Sequence, residues 1–299
     1  MIEIRGLVKR YGARLAVAGI DLVVPRGRIF GLLGHNGAGK STTIGCLLGH
    51  LFPDGGALRV GGVDALAERR RALARVGAIF ETPAFYDYLS GYRNLRIFAE
   101  CTAPVSDARL MEVAGIVGLA DRIRDRVGKY SHGMRQRLAL GQALLPDPEL
   151  LIVDEPTDGL DPEGIHEIRS LLLRLNREHG LTLLLSSHLL SEVELLCTDI
   201  AVMREGRVLY SGPMADLPRT EGWIVLRADP PGRAADLLLG RGWLEERRGE
   251  DRFRLRAGVS VADAVGAAVA DGLRVEAAHP IEMTLEEFYL QTVHGGGDA

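Results

Sequence analysis

Ile29-Phe30-Gly31-Leu32-Leu33-Gly34-His35-Asn36-Gly37-Ala38-Gly39-Lys40-Ser41-Thr42-Thr43 is an apolar run that passes into a complete G-x-x-x-x-G-K-S turn and then a helical stretch. The order predicts a strand, a tight loop and a helix, with the backbone N–H groups of Gly34, His35, Asn36, Gly37, Ala38 and Gly39 converging on phosphates at the helix N-terminus. In such a loop Lys40 reaches the β and γ oxygens of a nucleotide, and the Ser41 hydroxyl ligates Mg²⁺. A side chain at Gly37 or Gly39 would obstruct the approach. The fold expected around this segment is α/β with a parallel core sheet. The loop alone does not choose between families of nucleotide hydrolases.

A second apolar run, Leu150-Leu151-Ile152-Val153-Asp154-Glu155-Pro156-Thr157, ends in two adjacent carboxylates, as a buried parallel strand does when its C-terminal end holds acidic groups at the site. Asp154 is the candidate metal ligand. Glu155 is the candidate general base, because hydrolysis needs a group that orients and deprotonates water in line with the leaving phosphate. Gly159-Leu160-Asp161-Pro162 follows, and Leu183-Leu184-Leu185-Ser186-Ser187-His188 reads as another buried strand ending in a histidine. Just ahead of the acidic strand, Lys129-Tyr130-Ser131-His132-Gly133-Met134-Arg135-Gln136-Arg137-Leu138 reads as a Ser-Gly turn opening a helix. Its free N–H groups, hydroxyl and positive dipole end suit a γ-phosphate.

That last segment resembles the signature of ATP-binding cassette (ABC) ATPases, and the resemblance covers roughly Ile2 to Leu217 with every motif in the family's order. It implies ATP and Mg²⁺ as cofactors. It implies a head-to-tail homodimer in which Ser131 and Gly133 of one subunit close over the nucleotide held by the other, with two ATP at the interface. It also implies that Tyr11 stacks on adenine, Thr42 touches the α-phosphate, Asp161 links the two sites across the dimer and His188 senses the γ-phosphate. Where most of the family has glutamine, Val76-Gly77-Ala78-Ile79-Phe80-Glu81-Thr82-Pro83-Ala84-Phe85-Tyr86 has Glu81. A glutamate only accepts hydrogen bonds and adds charge beside Mg²⁺, so it either strengthens metal coordination or slows turnover. Glu81 with the following Pro-x-Phe-Tyr, and the Tyr-Ser-x-Gly-Met form of the signature, are similar to the bacitracin-resistance and lantibiotic-immunity group. A generic drug-export cassette is the alternative origin of both features.

Composition agrees with a soluble enzyme subunit. The 299 residues suggest about two domains. A net charge of -4 disfavours a nucleic-acid face, so no nucleic-acid partner is expected. Cys46, Cys101 and Cys197 have neither disulfide nor zinc spacing, which points to a reducing compartment. Met1 to Arg5 runs straight into a strand with no signal peptide, and no apolar stretch approaches the ~18–20 residues of a membrane span. The expectation is a cytoplasmic protein on the inner face of the membrane, joined to a separate multi-span permease. A soluble cassette acting on ribosomes or DNA is the alternative, without the tandem cassettes or long coiled-coil insertion that mark those types. A phosphate-loop kinase would leave the signature and His188 unexplained.

Along the chain, Ile2–Val8, Gly19–Val24 and Arg59–Val63 read as an antiparallel layer. Strands near Ile29, Ala78, Leu150, Leu183 and Ile200 read as the parallel core, and a helical insertion is expected from about 82 to 145. The exposed Phe85-Tyr86-Asp87-Tyr88 stretch is the candidate docking surface for the permease. The cassette is expected over 1–217. After a linker near 216–222, residues 222–299 read as two β-α-β units making a C-terminal α+β ferredoxin-like βαββαβ module, closed by a Thr-capped helix from Thr284.

Overall fold

In a computed structural model, which describes residues 1–80, 84–102, 105–217, 222–281 and 284–295, β1 (Ile2–Tyr11) and β2 (Arg14–Val24) form a hairpin. Its two-residue turn, Gly12-Ala13, pairs Tyr11 with Arg14, and Gly12 takes the φ of 58° that a tight turn favours in glycine. Both strands run further than the hydrophobic alternation predicts, because Lys9, Arg10 and Arg14 keep the ladder without entering the apolar core. β4 (Gly55–Val60) likewise starts earlier than Arg59, and with β5 (Val63–Asp64) it completes a four-stranded sheet of order β2-β1-β4-β5. The inward residues Ile2, Ile4, Leu7, Val17, Ile20, Leu22 and Leu58 are fully buried. Each contributes about 1.5–3 kcal/mol relative to an exposed position.

The chain divides into two compact units, Met1–Ala215 with the residues from Thr292, and Asp216–Gln291. At the centre of the first lie β3 (Ile29–Leu33), β6 (Val76–Ile79), β7 (Leu150–Asp154), β8 (Thr182–Ser187), β9 (Asp199–Arg204) and β10 (Arg207–Pro213), in the order β10-β9-β3-β8-β7-β6. All neighbours are parallel except β10 on β9. Continuous apolar runs are what such strands require, because helices cover both faces of a parallel sheet. α1 (Lys40–Leu47) lies in one core with residues of the antiparallel layer and of the parallel sheet: Ile44 and Leu47 are buried together with Ile4, Val17, Leu32 and Ile152. The antiparallel layer is therefore held over the helix that begins at the phosphate loop.

Between α2 (Arg69–Leu73) with β6 and the acidic strand β7, the chain makes α3 (Gly91–Thr102), α4 (Asp107–Ile116) and α5 (His132–Leu144). Ser106 caps α4 and Ser131 caps α5, each accepting from the backbone N–H three residues on. α6 (Pro162–His179) and α7 (Leu190–Leu196) follow β7 and β8. Among the described residues no helix is long and apolar enough to cross a membrane.

In the second unit β11 (Trp223–Asp229), α8 (Arg233–Gly240), β12 (Leu244–Arg248), β13 (Arg252–Leu255), α9 (Val261–Ala270) and β14 (Arg274–Pro280) follow in βαββαβ order. The sheet is antiparallel, of order β12-β13-β11-β14. Ile224, Leu226, Phe253 and Leu255 alternate onto one face against Leu238, Ala264 and Ala268. Thr284 and Glu287 cap α10 (Leu285–Gly295) reciprocally, at 3.2 Å and 3.1 Å.

Candidate functional site

The loop between β3 and α1 borders a cavity of about 260 Å³ that extends from Tyr11 past the glycines, Lys40, Ser41 and Thr42 to Glu155. Gly39 is the N-cap of α1 with φ 109°, and no side chain caps the helix. A Cβ at Gly39 would lie 2.7 Å from the Ala16 carbonyl oxygen, so the close approach of β2 and the left-handed backbone both demand glycine. The loop is braced from inside: Lys40 Nζ donates to the Gly34 carbonyl at 2.6 Å, Thr43 Oγ1 to Gly39 at 2.9 Å, and the Ala38 amide to His35 at 3.0 Å. His35 Nδ1 lies 2.7 Å from the Asn36 carbonyl oxygen.

Lys40 is 5 % exposed, and burial pushes its pKa down, opposed by the nearby Glu155 and Asp154 carboxylates. Glu155 Oε1 stands 3.8 Å from Lys40 Nζ. Its other oxygen, Oε2, lies 2.8 Å from His188 Nδ1 and accepts from the His188 amide at 3.3 Å. Three separate strand ends thus supply one cluster: β3 leads to Lys40, β7 to Asp154 and Glu155, β8 to His188. Asp154 is partly buried and accepts from the hydroxyl of Ser186, its register partner on β8. Glu155 adopts φ 48°, and its amide is shared between the Ser186 carbonyl and hydroxyl at 3.2 Å each.

Tyr11 lines the cavity with its ring half exposed, and Lys9 Nζ lies 5.5 Å from the ring centroid. Ser131, Gly133 and Asp161 do not line this cavity. They lie together elsewhere. Ser131 Oγ accepts from Met134 N at 3.2 Å, Asp161 Oδ1 accepts from Gly164 N at 2.9 Å, and a Cβ at Gly133 would stand 4.0 Å from Gly164 Cα. His132 is exposed on the first turn of α5. Glu81 lies outside the described residues. Of the aromatic stretch after it, Tyr86 and Tyr88 are 46 % and 69 % exposed with ring centroids 6.0 Å apart, whereas Phe85 packs edge-on against Phe98.

Sequence reasoning missed two residues of the site. Ser186 sits in a stretch read for its histidine alone, and only the structure shows its buried hydroxyl on Asp154. Arg14 lines the cavity opposite Tyr11, and only the hairpin pairing brings it there.

Residues 17–158 match the ABC transporter family. The chain is 36 % identical to the bacitracin transport ATP-binding protein BcrA of Enterococcus faecalis over 100 % of its own length and 98 % of that protein's. It is 42 % identical to a fluoroquinolones export ATP-binding protein of Mycobacterium tuberculosis, over 70 % of this chain and 69 % of that one. Among solved structures, the ATP-binding subunit of an ABC transporter superposes with a TM-score of 0.64 at 31 % identity, covering 73 % of this chain and 91 % of that one.

Proposed function

Because this chain belongs to the ATP-binding proteins of the ABC transporter family and is an ATPase, we propose that it powers efflux of a drug, peptide antibiotic or lipid-like molecule through a separate multi-span permease. The observation that carries the ATP hydrolysis in this reading is the meeting of Lys40 and Glu155 at 3.8 Å, with His188 on the far side of the same carboxylate, and the likeness to bacitracin and fluoroquinolone transport proteins supports the export. Two copies close head to tail on ATP, each presenting Ser131, Gly133 and Asp161 to the nucleotide of the other. The clustering of these three residues on one surface away from their own cavity supports that arrangement.

Within a site, the amides of the glycine loop and Lys40 bind the β- and γ-phosphates, and Tyr11 takes the base. Ser41 and Asp154 would hold Mg²⁺, and Glu81, outside the described residues, is the further candidate ligand. Both described donors are oxygens. Oxygen donors are what Mg²⁺ takes, and its remaining positions would be filled by substrate phosphates and water. When bound, Mg²⁺ neutralises charge on the phosphates. Ser186 fixes one oxygen of Asp154 and leaves the other for the ion. Glu155 accepts a proton from water as the water oxygen bonds to the γ-phosphorus. The bond to the β–γ bridging oxygen breaks, ADP and phosphate form, and the proton passes to solvent as they leave. His188 holds the Glu155 carboxylate in position through its Nδ1 contact and meets the γ-phosphate.

We assign 1–217 to the cassette and 222–299 to an accessory module, and place the protein on the cytoplasmic face of the membrane. Tyr86 and Tyr88 dock the permease. Asp87 pairs with Arg135 of the signature helix at 2.8 Å, which joins the docking stretch to the helix that meets the partner's nucleotide. The test is to isolate tagged Glu155→Gln protein with ATP from detergent-solubilised membranes of its host. Recovery of a multi-span membrane protein supports the reading; recovery of ribosomes, DNA-repair factors or nothing from the membrane overturns it.

A further inference from the structure

We propose that Arg14 is a nucleotide contact, its guanidinium neutralising the α- and β-phosphates from the open side of the loop while Lys40 meets the β- and γ-phosphates from the buried side. The proposal rests on the nucleotide reading of the cavity. It starts from the hairpin. The two-residue turn Gly12-Ala13 sets Tyr11 and Arg14 directly opposite each other, and opposed residues of an antiparallel pair project from the same face. Both accordingly line the cavity that Gly37, Lys40 and Ser41 complete. Arg14 Nη2 lies 3.1 Å from where a Cβ on Gly37 would stand, so it hangs over the glycine loop itself.

The neighbouring cations are otherwise engaged. Lys9 Nζ donates to the Phe52 carbonyl at 2.6 Å and faces Asp54 at 3.8 Å, and Lys40 Nζ is held by Gly34 and Glu155. The Arg14 guanidinium has no hydrogen-bond or ion-pair partner among the described residues. An arginine presents five donors in a planar fork matched to phosphate oxygens. Within the cavity Tyr11 marks the base end, while Lys40 and Glu155 mark the γ end. Arg14 belongs to the Tyr11 end, which selects the α- and β-phosphates.

The experiment measures ATP and ADP dissociation constants by calorimetry for the full chain, Arg14→Gln, Arg14→Lys and Lys40→Ala, at low and high KCl, with steady-state ATPase kinetics alongside. Arg14→Gln is expected to weaken ATP and ADP alike by roughly 10-fold, about 1.4 kcal/mol. It is also expected to raise KM with kcat unchanged, to flatten the salt dependence, and to leave the unfolding temperature without nucleotide where it was. Arg14→Lys should recover part of the affinity. Equal affinity in Arg14→Gln and the parent overturns the proposal, as does a loss confined to ATP, which would place the contact on the γ-phosphate. If Lys40→Ala binds as tightly as the parent, the cavity is not the nucleotide site, and the underlying reading fails along with this one.

Discussion

Asp161 caps a helix and is also the proposed link between the two sites of a dimer, and two substitutions tell the roles apart. Its carboxylate accepts from the Gly164 amide at 2.9 Å and so caps α6, an 18-residue helix whose Ile168, Leu171, Leu172 and Leu175 are buried. Truncation to alanine removes the cap, at about 1 kcal/mol, and the charge at the helix N-terminus, at about 0.5 kcal/mol for an exposed position. Asparagine keeps the cap and loses only the charge. For a unit of this size about 1 kcal/mol moves the unfolding midpoint by roughly 2–4 °C, so Asp161→Ala should unfold about 3–6 °C early and Asp161→Asn about 1–2 °C. Circular dichroism is the right probe, because the chain's two tryptophans, Trp223 and Trp243, both lie in the second unit. If Asp161 also links the two sites of a dimer, the asparagine variant will lose ATP turnover at 25 °C despite its retained cap. Equal midpoints for alanine and the parent, or an asparagine variant as unstable as alanine, would refute the capping argument. Undiminished turnover in both would refute the link.

Glu155→Gln should bind ATP and dimerise while hydrolysis falls by roughly 10²–10⁴-fold, and near-normal turnover would mean another group is the base. Gly39→Ala should abolish ATP binding, since its Cβ would lie 2.7 Å from the Ala16 carbonyl oxygen at a φ of 109°; retained binding in calorimetry would show that the loop relaxes. Burial lowers the Lys40 pKa, so between its folded value and that of a free lysine the unfolded chain keeps a proton the folded chain has shed. Stability of the parent relative to Lys40→Met should therefore rise with pH across that alkaline window, and a flat or falling difference in denaturant midpoints would contradict this sign. Glu81→Gln should alter the Mg²⁺ or Mn²⁺ dependence of turnover, and identical titrations would remove Glu81 from the metal.

The parallel core was legible because its strands are buried on both faces. Ile29–Leu33, Leu150–Asp154 and Thr182–Ser187 are near-continuous apolar runs, and each ends in the residues that meet at the site. The antiparallel layer was less legible. Lys9, Arg10 and Arg14 interrupt the apolar pattern, yet they continue the hairpin ladder: Arg10 and Arg14 are exposed, and the Lys9 ammonium is satisfied by the Phe52 carbonyl. Reading the first strand only to Val8 and the second only from Gly19 hid the Tyr11–Arg14 pair, and with it a cation of the cavity. Ser186 was hidden for a different reason. Nothing in a strand's periodicity distinguishes a serine that merely fills space from one whose hydroxyl holds a carboxylate on the next strand.

The two adjacent carboxylates act differently because the backbone changes hand between them. Along a strand successive side chains point to opposite faces, so an extended Asp-Glu pair would send its two carboxylates apart. Asp154 still belongs to β7 and faces its register partner Ser186. At Glu155 the chain turns to φ 48°, a left-handed conformation that costs a non-glycine residue about 1–2 kcal/mol. The turn is held by the Glu155 amide, shared between the Ser186 carbonyl and hydroxyl, and by Oε2 on His188. Its result is a carboxylate 3.8 Å from Lys40, across the cavity from the loop that would hold the γ-phosphate. Ser186 therefore serves both acids, fixing an oxygen of one and the backbone of the other. A serine that read as ordinary strand packing in the sequence is the residue through which β8 sets the geometry of the proposed metal ligand and the proposed base together.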